Sequence, residues 1–515
     1  MQSRPTYSID VDSTRADRIL SQCGWILDVM IMTEEQVETQ TPKYDDQVMR
    51  DLAAAVSPDR VSNMLLERIV YSGDPAALPQ FHYRWKGKYL VDYVVRVENV
   101  DEVREVVTTA AAHGIPVIPR GGASSCLGSS SPTRGGISLD IKRMDAILEI
   151  NTDEGYVRLE PGVPFDRLDV ELAKQGKTIG IYPTSAKSAV IAGWIGCGGT
   201  AGIGTPYYGA LIENILELTV VNADGELVTI SGDEIGLFFG SYGILGVITE
   251  VKMRIHDKPD DFIPFSYGFD HLEHVCNAMR QIAAIDQKPI HLKIADKDFQ
   301  SYSNPLEKGN YVLTAVYPNQ PESVPIDELK RTIADNGGME LGVEYAAHDW
   351  SLRYDSEFNP KEHCDTLMFQ EVSLEVDKLY DLLNRYESYK KSHKVPAIWF
   401  AMLGSQGKVR AELMAMLNPD QYLKFISSKG ILHKMVKKAI SLGGGPYTIG
   451  LQNSIYMKRA YPERLELMKA AKEKWDRSNI MNPDRVTSCM TSYFRMNVLF
   501  LMAAGIRRLS RYVGR

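Results

Sequence analysis

The chain has 515 residues, too many for one simple core, and its length predicts roughly two to four domains. A hydrophobic fraction of 44% and a charged fraction of 24% are typical of a soluble globular protein, and the net charge of −8 argues against a nucleic-acid-binding protein. None of the six cysteines forms a CxxC pair, so the sequence encodes neither a local iron–sulfur cluster nor a structural zinc site.

Residues 1–60 are predicted to form an N-terminal extension, in which residues 47–56 have a helical pattern that ends at Ser57-Pro58. The N-terminus has no apolar segment behind a basic region, so we expect no signal peptide. No apolar run is long enough to span a membrane as a plain helix. We therefore expect a cytoplasmic protein.

Strands and helices follow from residue 89 and lead to a first glycine loop. YLVDYVVRV predicts a strand, and the helix after it begins at the capping residue Asn99 and ends at Gly114. IPVIP predicts the next strand, which runs directly into the loop. Beyond the loop we expect a strand at residues 137–141, a hairpin from ILEI and YVRLEP, and an amphipathic helix at residues 165–176.

The loop itself, RGGASS at residues 120–125, has the composition of an anion-binding nest. Gly121 and Gly122 allow the backbone to turn with a positive φ. Ala123, Ser124 and Ser125 can then offer backbone N–H and hydroxyl donors to a diphosphate. The alternative is an ordinary surface turn, which uses the same residue types.

A second glycine-rich stretch, residues 182–208, contains six glycines and five Ser or Thr residues. Glycine costs about 1 kcal/mol in a helix or a strand, so we expect neither element here, and the composition favours close approach of the backbone to a phosphorylated cofactor. Residues 196–201 also fit the dinucleotide fingerprint GxGxxA. Gly202, Gly204 and Pro206 after it do not suit the helix that this fingerprint should open, which argues against a Rossmann domain.

The first domain is predicted to end in a hairpin and a long strand. ILELTVVNADGELVTI contains two strands joined at Asp224-Gly225, a pair that favours hairpin turns. LFFGSYGILGVITEVKMRI predicts a glycine-punctuated turn followed by the strand.

These segments together resemble the flavoprotein superfamily typified by vanillyl-alcohol oxidase and p-cresol methylhydroxylase. The matching segments are IPVIPRGGASS, GISLDIKRMDAILEI, VRLEPGVPFDRL, TVVNADGELV and FGSYGILGVITEVKMRI, and DRSNIMNPDRV resembles the C-terminal segment of the superfamily. The resemblance implies an α+β protein with a two-subdomain, PCMH-type FAD-binding domain and an α+β cap domain with an antiparallel sheet. The implied divisions are the extension at 1–60, the FAD-binding domain at 61–256, the cap domain at 257–475 and a segment at 476–515 that returns to the FAD-binding domain.

The resemblance also implies FAD in an extended conformation between the two subdomains, with the first loop at the diphosphate and the second glycine-rich stretch at the ribityl chain and ring. The implied cofactor-binding residues are Pro119, Arg120, Gly121, Gly122, Ala123, Ser124, Ser125, Pro183, Thr184, Ser185, Gly193, Cys197, Gly198, Gly199, Thr200, Tyr208, Gly209, Val247 and Ile248. Several relatives attach FAD covalently through a His after RGG. Ala123 stands at that position here, which implies non-covalent FAD, although a link to a cap-domain histidine stays open.

The cap domain resembles in part the D-2-hydroxyacid dehydrogenase and glycolate oxidase branch. WSLR at residues 350–353 is similar to the Trp-x-x-Arg helix of that branch, which makes Arg353 a candidate for binding a substrate carboxylate through two parallel hydrogen bonds. The alternative is an ion pair of Arg353 with Asp349 or Glu357 near it on the same helix.

Two His-containing motifs of that branch, which supply metal ligands and a base, are absent here. The corresponding segments, residues 402–412 and 443–453, contain no histidine, so we expect no metal site. Tyr447 lies in the second segment and Tyr456 just beyond it, and either can remove a substrate hydroxyl proton if its pKa is lowered. His291, in the strand PIHLKIAD, is the other candidate base, with a packed core histidine as the alternative.

Residues 491–515 contain five arginines and neither an acidic residue nor a lysine. The pattern predicts a basic amphipathic helix that lies on an anionic membrane surface, on the protein body or on another subunit.

The resemblance implies an FAD-dependent oxidoreductase that moves a hydride from a hydroxyl-bearing carbon to flavin N5, with a 2-hydroxy acid such as lactate or glycolate as a candidate substrate. The electrons would pass to an external acceptor: an iron–sulfur protein, an electron-transferring flavoprotein or a quinone. The alternatives are an alcohol or sugar oxidase that uses oxygen, an electron-relay subunit of a larger complex, and a transferase like the ether-lipid alkyl synthases. The alkyl synthases depend on a cap-domain His cluster that this sequence lacks.

Overall fold

A computed structural model describes residues 42–76, 90–320, 324–393, 396–418 and 422–489. These residues fall within one compact unit that begins at Pro42. The first 41 residues of the predicted extension and the basic tail at 491–515 lie outside the described residues. In the part of the chain that is described, no helix combines the length and the apolar character needed to cross a membrane.

The N-terminal half contributes a mixed sheet, in which β1 is antiparallel to its neighbour, and an antiparallel sheet. The strands are β1 (Val61–Ser62), β2 (Tyr93–Arg96), β3 (Val117–Arg120), β4 (Ile137–Asp140), β5 (Ile147–Asn151), β6 (Tyr156–Leu159), β7 (Lys177–Thr178), β8 (Ile215–Val221), β9 (Leu227–Ser231), β10 (Val247–Arg254) and β11 (His256–Asp257). The first sheet has the order β1-β2-β4-β3, with β2, β4 and β3 parallel. The second has the antiparallel order β5-β6-β10-β8-β9, and β7 pairs separately with β11.

The C-terminal half adds an eight-stranded antiparallel sheet among the described residues, in the order β15-β12-β14-β13-β17-β18-β16-β19. Its strands are β12 (Phe262–Phe269), β13 (His291–Asp296), β14 (Tyr311–Pro318), β15 (Met339–Glu340), β16 (Thr366–Glu375), β17 (Ala397–Leu403), β18 (Lys408–Leu417) and β19 (Gly445–Pro446). The predicted α+β class and the predicted antiparallel cap sheet are therefore confirmed.

The helices of the described residues complete both halves. They are α1 (Asp46–Ala55), α2 (Leu65–Tyr71), α3 (Val100–His113), α4 (Phe165–Ala173), α5 (Ile191–Cys197), α6 (Thr205–Tyr208), α7 (Leu211–Asn214), α8 (Ile235–Phe238), α9 (Leu272–Ala284), α10 (Lys297–Gln300), α11 (Ile326–Asp335), α12 (Val343–Ser351), α13 (Leu379–His393), α14 (Tyr422–Ser441), α15 (Met457–Ala460) and α16 (Pro462–Trp475). The start of α3 follows the prediction, since the Asn99 side chain accepts a hydrogen bond from the N–H of Glu102 at 3.0 Å.

The cap sheet separates two hydrophobic cores, and strand β17 shows how. Trp399 and Ala401 belong to one core, in which the sheet packs against α9, α13 and α14. Phe400 and Met402, between and after them, belong to the other core, which is continuous with the interior of the N-terminal half. Because successive side chains of a strand point to opposite faces, every residue of β17 is buried, and one face of the cap sheet is fixed against the FAD-binding half.

Helix α5 corrects the expectation of no helix in the second glycine-rich stretch. Ile191, Trp194 and Ile195 are buried on one face of it, and this packing outweighs the low helix propensity of Gly193 and Gly196. The fingerprint at residues 196–201 opens no helix, as predicted, because α5 ends at Cys197 with the next residue in the left-handed region.

Residues 476–486 run beside the start of the first glycine loop. Asn482 donates its N–H to the carbonyl oxygen of Val117 at 2.8 Å, and Val117 donates to the carbonyl oxygen of Ile480 at the same distance. Arg485 donates to the carbonyl oxygens of Gly128 and Ser131. This segment therefore braces the loop that follows β3. The four domain boundaries given above stay predictions.

Candidate active site

A large cavity lies where the two glycine-rich segments meet the cap sheet. Its volume is about 1230 Å³ when the open space at its mouth is included. It is lined by the loop after β3, by the second glycine-rich stretch, by the start of β10 and by residues of β16 and β18. Concave pockets with a few convergent polar groups are the usual sites of cofactors and small substrates.

The predicted diphosphate loop lines this cavity, but its glycines have a different role from the predicted one. The positive φ belongs to Ala123, at 52°, and not to Gly121 or Gly122. A Cβ at Gly122 would lie 1.9 Å from the carbonyl oxygen of Ser188, and one at Gly121 would lie 2.5 Å from Val190 Cγ2. Close approach between the two glycine-rich segments therefore requires both glycines.

Arg120 is not among the side chains that line the cavity. Its guanidinium donates to the carbonyl oxygen of Gly73 at 2.7 Å and lies over the ring of Tyr71 at 5.1 Å. The Arg120 side chain therefore contacts the segment after α2, and the place of this residue at the diphosphate stays a prediction.

Serine hydroxyl groups connect the two glycine-rich segments, which together form what we call the glycine cradle. Ser124 Oγ lies 3.3 Å from Ser185 Oγ, and Ser125 Oγ lies 2.7 Å from the hydroxyl of Ser129. Ser129 and Ser130 line the cavity and were missed in the sequence, although they belong to the serine run that follows RGG. Their loop is held by the half-buried Asp74, which accepts the N–H of Gly128 at 3.2 Å.

The second glycine-rich stretch contributes part of the residues predicted for it. Those that line the cavity are Pro183, Thr184, Ser185, Gly193, Cys197 and Gly199, and Val247 and Ile248 at the start of β10 join them. Gly198, Thr200, Tyr208 and Gly209 do not line it. The ring of Tyr208 instead lies 4.7 Å from the ring of His256 and packs over Gly180.

Gly196 provides the test of whether a cofactor fits this cradle. It lines the cavity, and a Cβ built on it would meet no protein atom within 4 Å. Gly199 and Gly202, by contrast, are explained by packing inside the protein, because a Cβ there would lie 2.0 Å from Trp194 Nε1 and 2.4 Å from the carbonyl oxygen of Tyr182. The open space at Gly196 fits the close approach of a flat ring system, and FAD fits the cradle.

The cap side of the cavity carries a buried cluster of charged side chains, the carboxylate cluster, which consists of Glu357, Glu371, Glu412 and Arg410. Glu371 of β16 and Glu412 of β18 are direct cross-strand partners in antiparallel pairing, so both side chains emerge side by side on one face. Like charges in such a pair repel each other, and Arg410, two residues from Glu412 on the same face, lies between them.

The distances show that both terminal nitrogens of Arg410 have partners. Arg410 Nη2 lies 2.9 Å from Glu357 Oε2 and 2.5 Å from Glu412 Oε2, and Nη1 lies 3.6 Å from Glu371 Oε1. Both terminal nitrogens are also 3.4 Å from the hydroxyl of Thr184, which links the cluster to the cradle. Arg410 Nε is buried without a hydrogen-bond partner among the described residues.

Burial perturbs the proton affinities of the cluster. Burial raises the pKa of Glu371, and it raises the pKa of Glu412 well above its usual range, with a further rise from the charge of Glu357. Burial alone would lower the pKa of Arg410, but the carboxylates, Glu412 first, raise it well above its usual value. The arginine therefore stays charged, while the two paired carboxyl groups retain a proton at a pH where glutamate is normally ionised.

Tyr447 lines the cavity, but its hydroxyl does not meet the condition for a base. It donates to the carbonyl oxygen of Ala201 at 2.8 Å and accepts the N–H of Ala201 at 3.1 Å. Burial raises the pKa of Tyr447 to about 12, whereas a base requires a lowered one. The other tyrosine, Tyr456, does not line this cavity and lies against His433 beneath a separate small cavity.

Arg353 and His291 line a smaller cavity, of about 340 Å³ when the open space at its mouth is included, which shares Thr184 and Glu357 with the large one. Burial lowers the pKa of His291 to about 3, so the imidazole is neutral, and its Nδ1 has no hydrogen-bond partner among the described residues. The Arg353 guanidinium lies over the rings of Trp350 and Tyr354, at 4.4 and 4.7 Å.

The alternative ion pairs of Arg353 do not form within the described residues. Asp349 is instead 3.1 Å from Lys293 and accepts a hydrogen bond from Thr314 at 2.8 Å, and Glu357 pairs with Arg410. Within the described ranges, no group of three or more His, Cys, Asp or Glu side chains has an arrangement that could hold a metal ion.

The sequence did contain a signal for the carboxylate cluster. In KVRAELMAML, the strand β18, Arg410 and Glu412 stand two residues apart, and the residues that follow Glu412 are apolar. Charged residues two positions apart share one face of a strand, and burial of that face is costly unless the charges are paired. These charged residues, and not histidines, are what this segment contributes to the cavity.

Comparisons with known proteins agree with this arrangement. Residues 91–231 match the family model of the FAD binding domain, and residues 264–486 match that of the C-terminal domain of FAD linked oxidases. The chain is 23% identical over 476 residues to the glycolate oxidase subunit GlcD of Bacillus subtilis, in an alignment that covers 85% of this chain and 96% of that protein.

Two solved structures share the fold. An alkyldihydroxyacetonephosphate synthase aligns with a TM-score of 0.71 and 21% identity over 86% of this chain and 85% of its own. A p-cresol methylhydroxylase with bound substrate aligns with a TM-score of 0.72 and 16% identity over 87% of this chain and 99% of its own. Both family models and the shared fold confirm the resemblance seen in the sequence, and the chain belongs to the FAD-linked oxidoreductases of the vanillyl-alcohol oxidase and p-cresol methylhydroxylase superfamily.

Proposed function

We propose that the protein is a dehydrogenase that oxidises a hydroxyl-bearing carbon of a small molecule. One observation carries this proposal: a single cavity joins the glycine cradle to the carboxylate cluster. FAD, when bound, supplies the two-electron acceptor for the oxidation. The loop at residues 121–125 and the stretch around Gly196 would hold it, without a covalent link at Ala123, whose methyl side chain offers no atom for one.

The residues of the carboxylate cluster are suited to accept the proton that the oxidation releases. Oxidation of an alcohol to a carbonyl breaks a C–H bond, whose hydrogen leaves as hydride, and an O–H bond, whose hydrogen leaves as a proton. We assign acceptance of the proton to the Glu371–Glu412 pair, because a carboxylate with a raised pKa is a stronger base near neutral pH. Arg410 holds the carboxylates in place, and Thr184 fixes the cluster against the cradle.

The substrate class and the electron acceptor belong to the same proposal. Similarity to a glycolate oxidase subunit supports a 2-hydroxy acid such as lactate or glycolate, and an alcohol or sugar is the other candidate. For the electrons we propose an external acceptor: an iron–sulfur protein, an electron-transferring flavoprotein or a quinone. Oxygen is the competing acceptor.

Anaerobic bleaching of the flavin absorbance tests this function. The purified holoprotein is mixed without oxygen with 2-hydroxy acids, alcohols and sugars, and we expect at least one of them to reduce the bound FAD. Reoxidation by a dye or by air then separates a dehydrogenase from an oxidase. Holoprotein that stays fully oxidised with every compound contradicts the proposal and favours an electron-relay subunit or a transferase without net redox change.

A further inference from the structure

The side chains that line the large cavity include more acidic groups than basic groups. Among the described residues that line it, Arg410 is the one basic side chain, against the three carboxyl groups of Glu357, Glu371 and Glu412. Even when the Glu371–Glu412 pair keeps one proton, the two remaining negative charges exceed the single positive charge. A substrate carboxylate would add a further negative charge to this buried group.

Arg410, the single cation, has no pair of adjacent N–H donors left to bind a substrate carboxylate through two hydrogen bonds. The Nη2 of Arg410 bonds both Glu357 and Glu412, and Nη1 faces Glu371 and Thr184. Arginine binds a substrate carboxylate through two parallel donors on one edge, and here those donors are taken. The unpartnered Nε offers one hydrogen bond, which suits a hydroxyl or carbonyl oxygen better than a carboxylate.

The neighbouring small cavity does not supply the positive charge that a substrate carboxylate would need. Lys293 is paired with Asp349 at 3.1 Å, and the imidazole of His291 is neutral. Of the two cavities, Arg353 lines only this smaller one, where its guanidinium lies over two aromatic rings and its Nη1 donates to the carbonyl oxygen of Trp350 at 3.0 Å. The negative charge of Glu357 in the same lining offsets its positive charge. Glu357 lines both cavities, and its negative charge opposes an anion in either one.

We infer that the substrate is a neutral hydroxyl compound, an alcohol or polyol without a free carboxylate, held by hydrogen bonds to the carboxylate cluster. The inference rests on the proposed function and narrows its substrate class. The carboxylates can accept hydrogen bonds from neutral hydroxyl groups, and the free Nε of Arg410 can donate one to a hydroxyl oxygen. The residues that disfavour an acid therefore favour a polyol.

Matched pairs of substrates test the inference. The pairs are glycolate and ethylene glycol, D-lactate and propane-1,2-diol, and gluconate and sorbitol, each assayed by anaerobic bleaching of the holoenzyme and by kcat/KM with a dye acceptor. We expect kcat/KM for the better neutral compounds to exceed that of their acid partners by about 100-fold. Faster reduction by the acids overturns this inference and leaves the proposed function standing. Reduction by neither class, with FAD bound, overturns both.

A variant that removes one negative charge provides a second test of the inference. Glu357→Gln keeps the shape of the side chain and removes one negative charge, so the ratio of kcat/KM for acid to that for neutral compound should rise about tenfold. Glu362→Gln, an exposed residue on the same segment, is the matched control and should leave the ratio unchanged. An unchanged ratio in Glu357→Gln contradicts the electrostatic exclusion of acids.

Discussion

The hydroxyl of Tyr447 both donates to and accepts from the backbone of Ala201, which is itself buried. Tyr447→Phe removes both bonds and leaves two backbone groups unpaired, so we expect the free energy of unfolding to fall by about 2 kcal/mol. Denaturant unfolding of the holoprotein measures this, with the exposed Tyr207→Phe as the control. The pH profile of kcat/KM should keep its shape, and loss of its transition in Tyr447→Phe would restore the tyrosine as a base.

The paired carboxyl groups of Glu371 and Glu412 make activity depend on pH. Because burial raises the pKa of both, the pair binds a proton at acid pH, and a protonated carboxyl group cannot accept another. We therefore expect kcat/KM to rise with pH through a transition above the usual range of glutamate. In Glu412→Gln the repulsion from the partner is gone, so the transition of Glu371 should move to lower pH, with Glu357 and Arg410 unchanged beside it. An identical transition in the variant would contradict this assignment.

At the scale of elements, helix α5 presents Gly196 to the cavity with open space beside it. Gly196→Ala improves helix propensity by about 1 kcal/mol, so the apoprotein should gain thermal stability. The added methyl group enters the space assigned to FAD, so the dissociation constant for FAD, measured by flavin fluorescence, should rise. Gly236→Ala in α8 also meets almost no neighbour and lies outside the cavity lining, which makes it the matched control. Unchanged FAD affinity in Gly196→Ala would show that the cofactor does not approach this helix.

The same elements show what the sequence could predict. Strand β4 follows from a short apolar run, and helix α3 follows from apolar periodicity and its cap, which a sequence displays directly. Helix α5 was missed because its stability comes from packing of Trp194 and its neighbours, not from local propensity. The carboxylate cluster was missed because it depends on the register that sets Glu371 opposite Glu412, and pairing between distant strands is not visible in a local pattern.

At the scale of the whole molecule, the site exists only where the two halves of the chain meet. Thr184 of the cradle and Arg410 of the cap sheet touch although 226 residues separate them. The FAD-binding segments were predictable because the family resemblance rests on short sequence motifs in a fixed order. The substrate side was not, because its residues replace the motifs that the resemblance led us to expect.

We propose that the carboxylate cluster accepts the substrate proton while bound FAD is reduced in the same cavity. The double variant Glu371→Gln/Glu412→Gln removes both carboxylates of the pair, and Glu375→Gln, an exposed residue of β16, is the control. At saturating substrate without oxygen, we predict a rate constant for the reduction of bound FAD roughly 10²–10⁴-fold lower in the double variant, with FAD still bound and its absorbance spectrum retained, and a rate constant near that of the native protein in Glu375→Gln. Reduction of FAD by the double variant at the rate of the native protein would contradict proton transfer to the cluster.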